Sequence, residues 1–229
     1  MRACSAGAVT VFLDLKRNRY FGVGARETRA LQTLAANWSE ACTQTSGAIE
    51  PMAPEDAAQL ANALASAGLL SHTEPSAMSH APCAINLDAL LRDLGAERQG
   101  GSIRLTHVSR FVRACLWARC ALRSRSLYAL ACELARDRIA AHAVFDEEQA
   151  IELARVFRRL RPYAFAAHDR CLFHALALVR FLSYYKVFPL WVIGVRIRPW
   201  AAHSWVQQGS LILDGNPEQV CQYTPIFAA

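Results

Sequence analysis

The spacing of the apolar residues changes once along the chain, and that change constrains the fold more than any other feature. Residues 107–138 carry two arginine-rich stretches with helical spacing, broken around "SRS" at 124–126. A third stretch, "DEEQAIELARVFRRL" at 146–160, opens with Asp146 and Gln149 spaced as a capping box, and Pro162 is expected to close it. The fourth, "RCLFHALALVRF" at 170–181, is almost wholly apolar. From Pro189 the pattern becomes that of strands. "PLWVIGVRI" has the β-branched content of a buried strand, and "HSWVQ" and "SLILD" flank Gln208-Gly209 as the arms of a hairpin. Helices followed by antiparallel strands specify the α+β class, a helical layer packed on a sheet.

The start of the chain reads differently. "AVTVFLDL" and "RYFGVG", separated by "KRN", form a β-rich hairpin, followed by a helical pattern in "ARETRALQTLAANW" at 25–38. A second helix, "PEDAAQLANALASAGLL", has Pro54 in its first turn, Glu55 and Asp56 at the positive end of its dipole, and Gly68-Leu69 as a stop. Its buried stripe is Ala57, Leu60 and Leu64. The polar, proline-containing stretch "SHTEPSAMSHAPC" then places a linker near residues 71–84. The chain accordingly reads as an N-terminal domain over 1–75, a connection over 76–100 and a C-terminal domain over 101–229.

With 229 residues and 53% hydrophobic content the chain can bury a sizeable core. Its net charge of +6 comes almost entirely from arginines spread over helical segments. Nucleic-acid binding would gather those charges on one face with aromatics between them, so no nucleic acid is expected. The eight cysteines, at 4, 42, 83, 115, 120, 132, 171 and 221, show no paired CxxC spacing. Most are expected to be small core hydrophobes in a reducing cytoplasm. The opening "MRACSAGAVTVFLDLKRNRY" is too short and broken for a signal peptide and reads as strand. Arg180 divides the longest apolar run, so no membrane span is expected.

The chemistry gathers in the C-terminal part. If Gln208-Gly209 is a two-residue turn, Gln207 pairs with Ser210 and the register carries His203 opposite Asp214. Directly opposed residues share a face, with Cβ atoms roughly 5 Å apart, which suits a carboxylate orienting an imidazole. A one-residue slip would put the two on opposite faces. Asp169 is a plausible N-cap that places Cys171 in the first turn of its helix, where backbone N–H groups and the dipole favour a thiolate. Its own N–H would point toward a developing oxyanion. Cys171 as nucleophile, His203 as base and acid, and Asp214 as orienter then make a triad for acyl chemistry. Asn216 is an alternative orienter. His168 and His174 bracket Cys171 at metal-like spacing but lack a fourth ligand, so no metal and no cofactor is expected. "GVG" at 22–24 is too short for a phosphate loop.

Taken together, "RCLFHALALVRF", "VIGVRIRPWAAHSWV" and "LILDGNPEQVCQYTPI" resemble the B protein of lasso-peptide biosynthesis, a transglutaminase-like, papain-like cysteine peptidase that removes a leader peptide. The resemblance covers about residues 100–229. It implies catalytic roles for Cys171, His203 in "AHSWV", and Asp214. One departure is "CLFHALAL", where the family commonly carries a more polar pair after the cysteine. Residues 1–75 resemble more weakly the PqqD-like, winged-helix-type leader-recognition element fused to some members. A short sheet with an open edge beside an amphipathic helix can accept an extended peptide as an added strand. That groove is expected between Tyr20, Phe21, Gly22 and Val23 on one side and the helix bearing Leu60 and Leu64 on the other. The resemblance implies two partners: the leader of the lasso precursor peptide, and the ATP-dependent lasso cyclase that closes the macrolactam. Rival readings are a transglutaminase-like acyltransferase and a non-catalytic chaperone that delivers precursor to the cyclase.

Overall fold

A computed structural model of the protein describes residues 2–6, 9–28, 53–66, 92, 103–141, 146–164 and 171–229. Strands β1 (Arg2–Ala6), β2 (Val9–Asp14) and β3 (Arg19–Gly24) form an antiparallel sheet in that order. The β2–β3 turn forms for a local reason: the Asp14 carboxylate accepts from the backbone N–H groups of Lys16 and Arg17, and Asn18 takes the left-handed φ of 52°. Helical geometry continues over residues 25–28, and the rest of the helix expected over 25–38 lies outside the described residues.

Helix α1 (Pro54–Ser66) begins at Pro54 with both acids in its first turn, as its sequence dictates. Its expected Gly68 stop lies outside the described residues, as does almost all of the 76–100 connection. Arg92, within that connection, runs beside the C-terminal hairpin, donating its N–H to Ser210 O and accepting from Ile212 N.

Three helices follow as expected: α2 (Leu105–Ser124), α3 (Leu127–Ala141) and α4 (Glu147–Ala164). Gln149 N–H donates to Asp146 Oδ1 at 3.0 Å, the cap expected at the start of α4. Pro162 does not end α4; the helix runs two residues further. A proline so near the C-terminus disturbs only the last turn, where helices already tighten and fray. Helix α5 (Cys171–Ser183) is followed by β4 (Leu190–Arg196), β5 (Ala201–Gln208), β6 (Leu211–Asp214), the short α6 (Pro217–Val220) and β7 (Thr224–Ala228). The second sheet has the order β6-β5-β4-β7 with every pair antiparallel.

This sheet buries both faces. Trp191, Ile193, Val195 and Val206 face the helices in the main core, while Leu190, Val192, Trp205 and Ile212 form a smaller cluster with Val220 and Tyr223 on the other face. The first sheet joins the same main core. Cys4, Val11, Leu13 and Leu15 are buried with α2–α5, and Tyr128 N–H donates to Leu15 O at 3.0 Å. Among the described residues the N-terminal sheet leans on the helical layer. A PqqD-like arrangement of this region is not evident in these elements.

Candidate active site

His203 sits on β5, and β5 pairs with β4 in one unbroken register that sets His203 opposite Gly194. The glycine is required by what lies over it. A Cβ on Gly194 would fall 2.8 Å from two ring carbons of Trp205 and 3.0 Å from the Tyr223 Cβ. Trp205 is held in place by donating from Nε1 to Gln207 Oε1 at 2.8 Å, and Gln207 in turn donates to Gly209 O. The half-buried His203 ring lies almost parallel to Trp205, with centroids 6.1 Å apart, and 5.2 Å from the ring of Tyr223. Burial lowers its pKa from the ordinary imidazole value, which favours the neutral ring that accepts protons.

Asp214 does not stand opposite His203. The hairpin turn is Gly209-Ser210, one residue later than the sequence suggests, and Gln208 pairs with Leu211. Gly209 adopts a positive φ of 55° at the first central position, the place a type II′ turn gives to glycine. A register shift between Val206 and Gln207 then sets Val206 opposite Asp214. Since His203 and Val206 are three residues apart on a regular strand, they point to opposite faces. Asp214 thus shares the helix side of the sheet with Val206, while His203 lies on the far side with Trp205.

The Asp214 carboxylate has its own partner there. Its Oδ1 accepts from Arg161 Nη1 on α4 at 3.5 Å. Desolvation raises its pKa, and the Arg161 charge only partly offsets this. Asn216, the alternative orienter, is committed elsewhere: it caps α6, accepting from Glu218 N at 2.9 Å.

Cys171 is the first residue of α5, half-buried, with a free thiol. The expected N-cap Asp169, and His168 of the alternative metal site, lie outside the described residues. His174, one turn further on, is buried. Tyr20 on β3 lies within electrostatic reach of the Cys171 thiol: burial, and secondly the neighbouring Cys171, push Tyr20 up to about 12. Tyr20 in turn meets the half-exposed Trp200 edge to face, with ring centroids 5.6 Å apart. Sequence reading missed Arg161, Trp200 and Tyr223 as neighbours of the site. Trp200 follows a proline in the β4–β5 turn and gave a weak signal; the other two gave none.

The residues expected to bind a leader divide. Tyr20, Phe21, Gly22 and Val23 lie on β3, opposite Leu13, Phe12, Val11 and Thr10 of β2, and among the described residues no strand pairs with the outer edge of β3. Leu60 and Leu64 are half-buried on α1. Among the described residues no cluster of His, Cys, Asp and Glu has the makings of a metal site. No helix among them is long and apolar enough to cross a membrane. Of the cysteines, Cys4 is in the core as expected, and burial pushes the Cys115 thiol up to about 12. Cys120 and Cys221 are exposed, against the expectation of core positions.

Residues 112–228 match the family model described as the transglutaminase-like superfamily. Comparison with curated proteins and with solved structures finds no match.

Proposed function

Because this chain belongs to the transglutaminase-like superfamily, we propose that it is a cysteine peptidase that removes the leader from a ribosomally made lasso-peptide precursor. Enzymes of this superfamily are generally cysteine-protease-like, so thiol attack on a carbonyl is common to the peptidase reading and to its acyltransferase rival. The observation that carries the reading is the place of Cys171, at the head of an apolar helix inside the matched region. His203 takes the Cys171 proton, the thiolate so formed adds to the scissile carbonyl, and the imidazolium delivers that proton to the leaving amine as the C–N bond breaks. Water, losing a proton to His203, then releases the acyl group from sulfur.

Asp214 serves this scheme by orienting His203, and one change brings it to the right face. With Leu213 returned to the ladder, Asp214 falls opposite Trp205 and becomes a diagonal neighbour of His203, about 7–8 Å away between Cα atoms. The outer edge of β3, which no strand among the described residues covers, supports the leader-recognition part of the proposal, since an extended peptide can add to it as a fourth strand. The freed core passes to the ATP-dependent cyclase.

A second reading, delivery of the precursor without catalysis, is favoured by the placement of His203 and Asp214 on opposite faces. Incubation with a lasso precursor peptide, followed by mass spectrometry, separates the readings. Hydrolysis yields free leader, transfer yields an amine adduct, and delivery leaves the precursor whole. Full conversion by the Cys171→Ala protein contradicts the proposal.

A further inference from the structure

A cavity of about 300 Å³ lies between α4 and the end of β6. One face of α4 forms its wall, with Phe157, Arg158 and Arg161 at helical spacing, and Leu213 and Asp214 face them from the strand. Its lining combines the apolar Ala154, Phe157 and Leu213 with two guanidinium groups and one carboxylate. Among the described residues no carboxylate is ion-paired with Arg158. Arg161 meets Asp214 through a single Nη1–Oδ1 contact of 3.5 Å, whereas a guanidinium and a carboxylate well matched to each other make two parallel bonds of about 2.8 Å. The cavity therefore has donors in excess, held over apolar surface where charge-assisted bonds are strengthened.

We propose that this cavity binds a peptide carboxylate, gripped by Arg158 and Arg161, and that the bound group takes Arg161 away from Asp214. Phe157 and Leu213 accommodate the methylenes of an acidic side chain, which distinguishes the site from one for a bare anion. The consequence for catalysis rests on the reading of Asp214 as the group that orients His203. Losing its partner on the helix side removes the contact that holds it away from the imidazole, so an acidic substrate residue would arm the site that cleaves it.

The test is a titration of the full ¹⁵N-labelled chain, following the arginine Nε–H signals and the amides of Leu213 and Gly215. The probes are acetyl-Ala-Glu-Ala-amide, acetyl-Ala-Gln-Ala-amide, acetyl-Ala-Gln-Ala with a free C-terminus, and inorganic phosphate. The Glu peptide is expected to shift the Arg158 and Arg161 signals, and Arg158→Gln to weaken its binding about tenfold through loss of a charge-assisted contact. The free-terminus peptide, which has no acidic side chain to lay against Phe157 and Leu213, is expected to bind more weakly, and binding as tight as that of the Glu peptide overturns the proposal. Equal binding of the Gln-amide peptide, phosphate binding as tightly as the Glu peptide, or no effect of Arg158→Gln overturns the proposal. Iodoacetamide labelling of Cys171 in the same samples keeps the two readings apart. Selective labelling without peptide binding sinks this inference alone, and peptide binding without selective labelling sinks the peptidase.

Discussion

His203 and Asp214 leave neighbouring strands in opposite directions, because a shift of one residue in the β5–β6 ladder turns the carboxylate toward α4. Two groups that the sequence places opposite each other are thereby held by different partners: Trp205 and Tyr223 for the ring, Arg161 for the carboxylate.

The two groups give opposite pH signatures. Burial lowers the His203 pKa, so between its ordinary value and the depressed one the unfolded chain binds the extra proton. The stability this group contributes is full at neutral pH and is lost as the pH falls through that window. Thermal melts are expected to show Tm falling between neutral and mildly acidic pH, with the fall reduced in His203→Gln. An unchanged slope in that variant contradicts the assignment.

Asp214 behaves the other way. Burial raises its pKa, so the folded chain holds the proton more firmly than the unfolded one. Its ionisation therefore costs stability as the pH rises from the ordinary carboxylate value through the raised one. Asp214→Asn is expected to raise Tm at neutral pH and to leave it nearly unchanged in strong acid. A lower Tm at neutral pH would mean that the Arg161 contact outweighs desolvation.

Leu13 tests how the N-terminal sheet is held. Fully buried among residues of the helical layer, it should cost about 2–5 kcal/mol when cut to alanine. Helical circular dichroism and tryptophan fluorescence are expected to report one unfolding transition, moved to lower denaturant. A separate early transition that leaves the helices untouched would show the sheet to be an independent module.

Gly194→Ala puts a methyl group against the buried Trp205 ring and the Tyr223 Cβ, neither of which is the free end of a flexible chain. Overpacking of this kind costs about 1–3 kcal/mol. Because Trp205 also backs His203, the variant should lose activity beyond its loss of folded protein, measured as rate per folded molecule.

The helices and their order were legible because each carries its own local evidence. Asp146 with Gln149 marks the start of α4, and the break at 124–126 falls where α2 ends. Cys171 at the head of α5 was legible for the same reason. The site was not, because its geometry depends on register, and register was set by Gly209 taking a positive φ and by one extra residue at Leu213. Neither is announced by apolar spacing, yet either one reverses the face on which Asp214 lands. Arg161 was invisible for a simpler reason. It lies fifty-three residues from its partner, on a helix with several other arginines.

Iodoacetamide at neutral pH, with the labelled thiols mapped over time by peptide mass spectrometry, tests the nucleophile most directly. Cys120 and Cys221 are exposed and Cys171 is only half so, which means that accessibility alone puts Cys171 behind them. A nucleophile activated by His203 predicts the reverse order, with Cys171 labelled about ten times faster than either. Labelling of Cys120 and Cys221 first, with Cys171 trailing, contradicts the account.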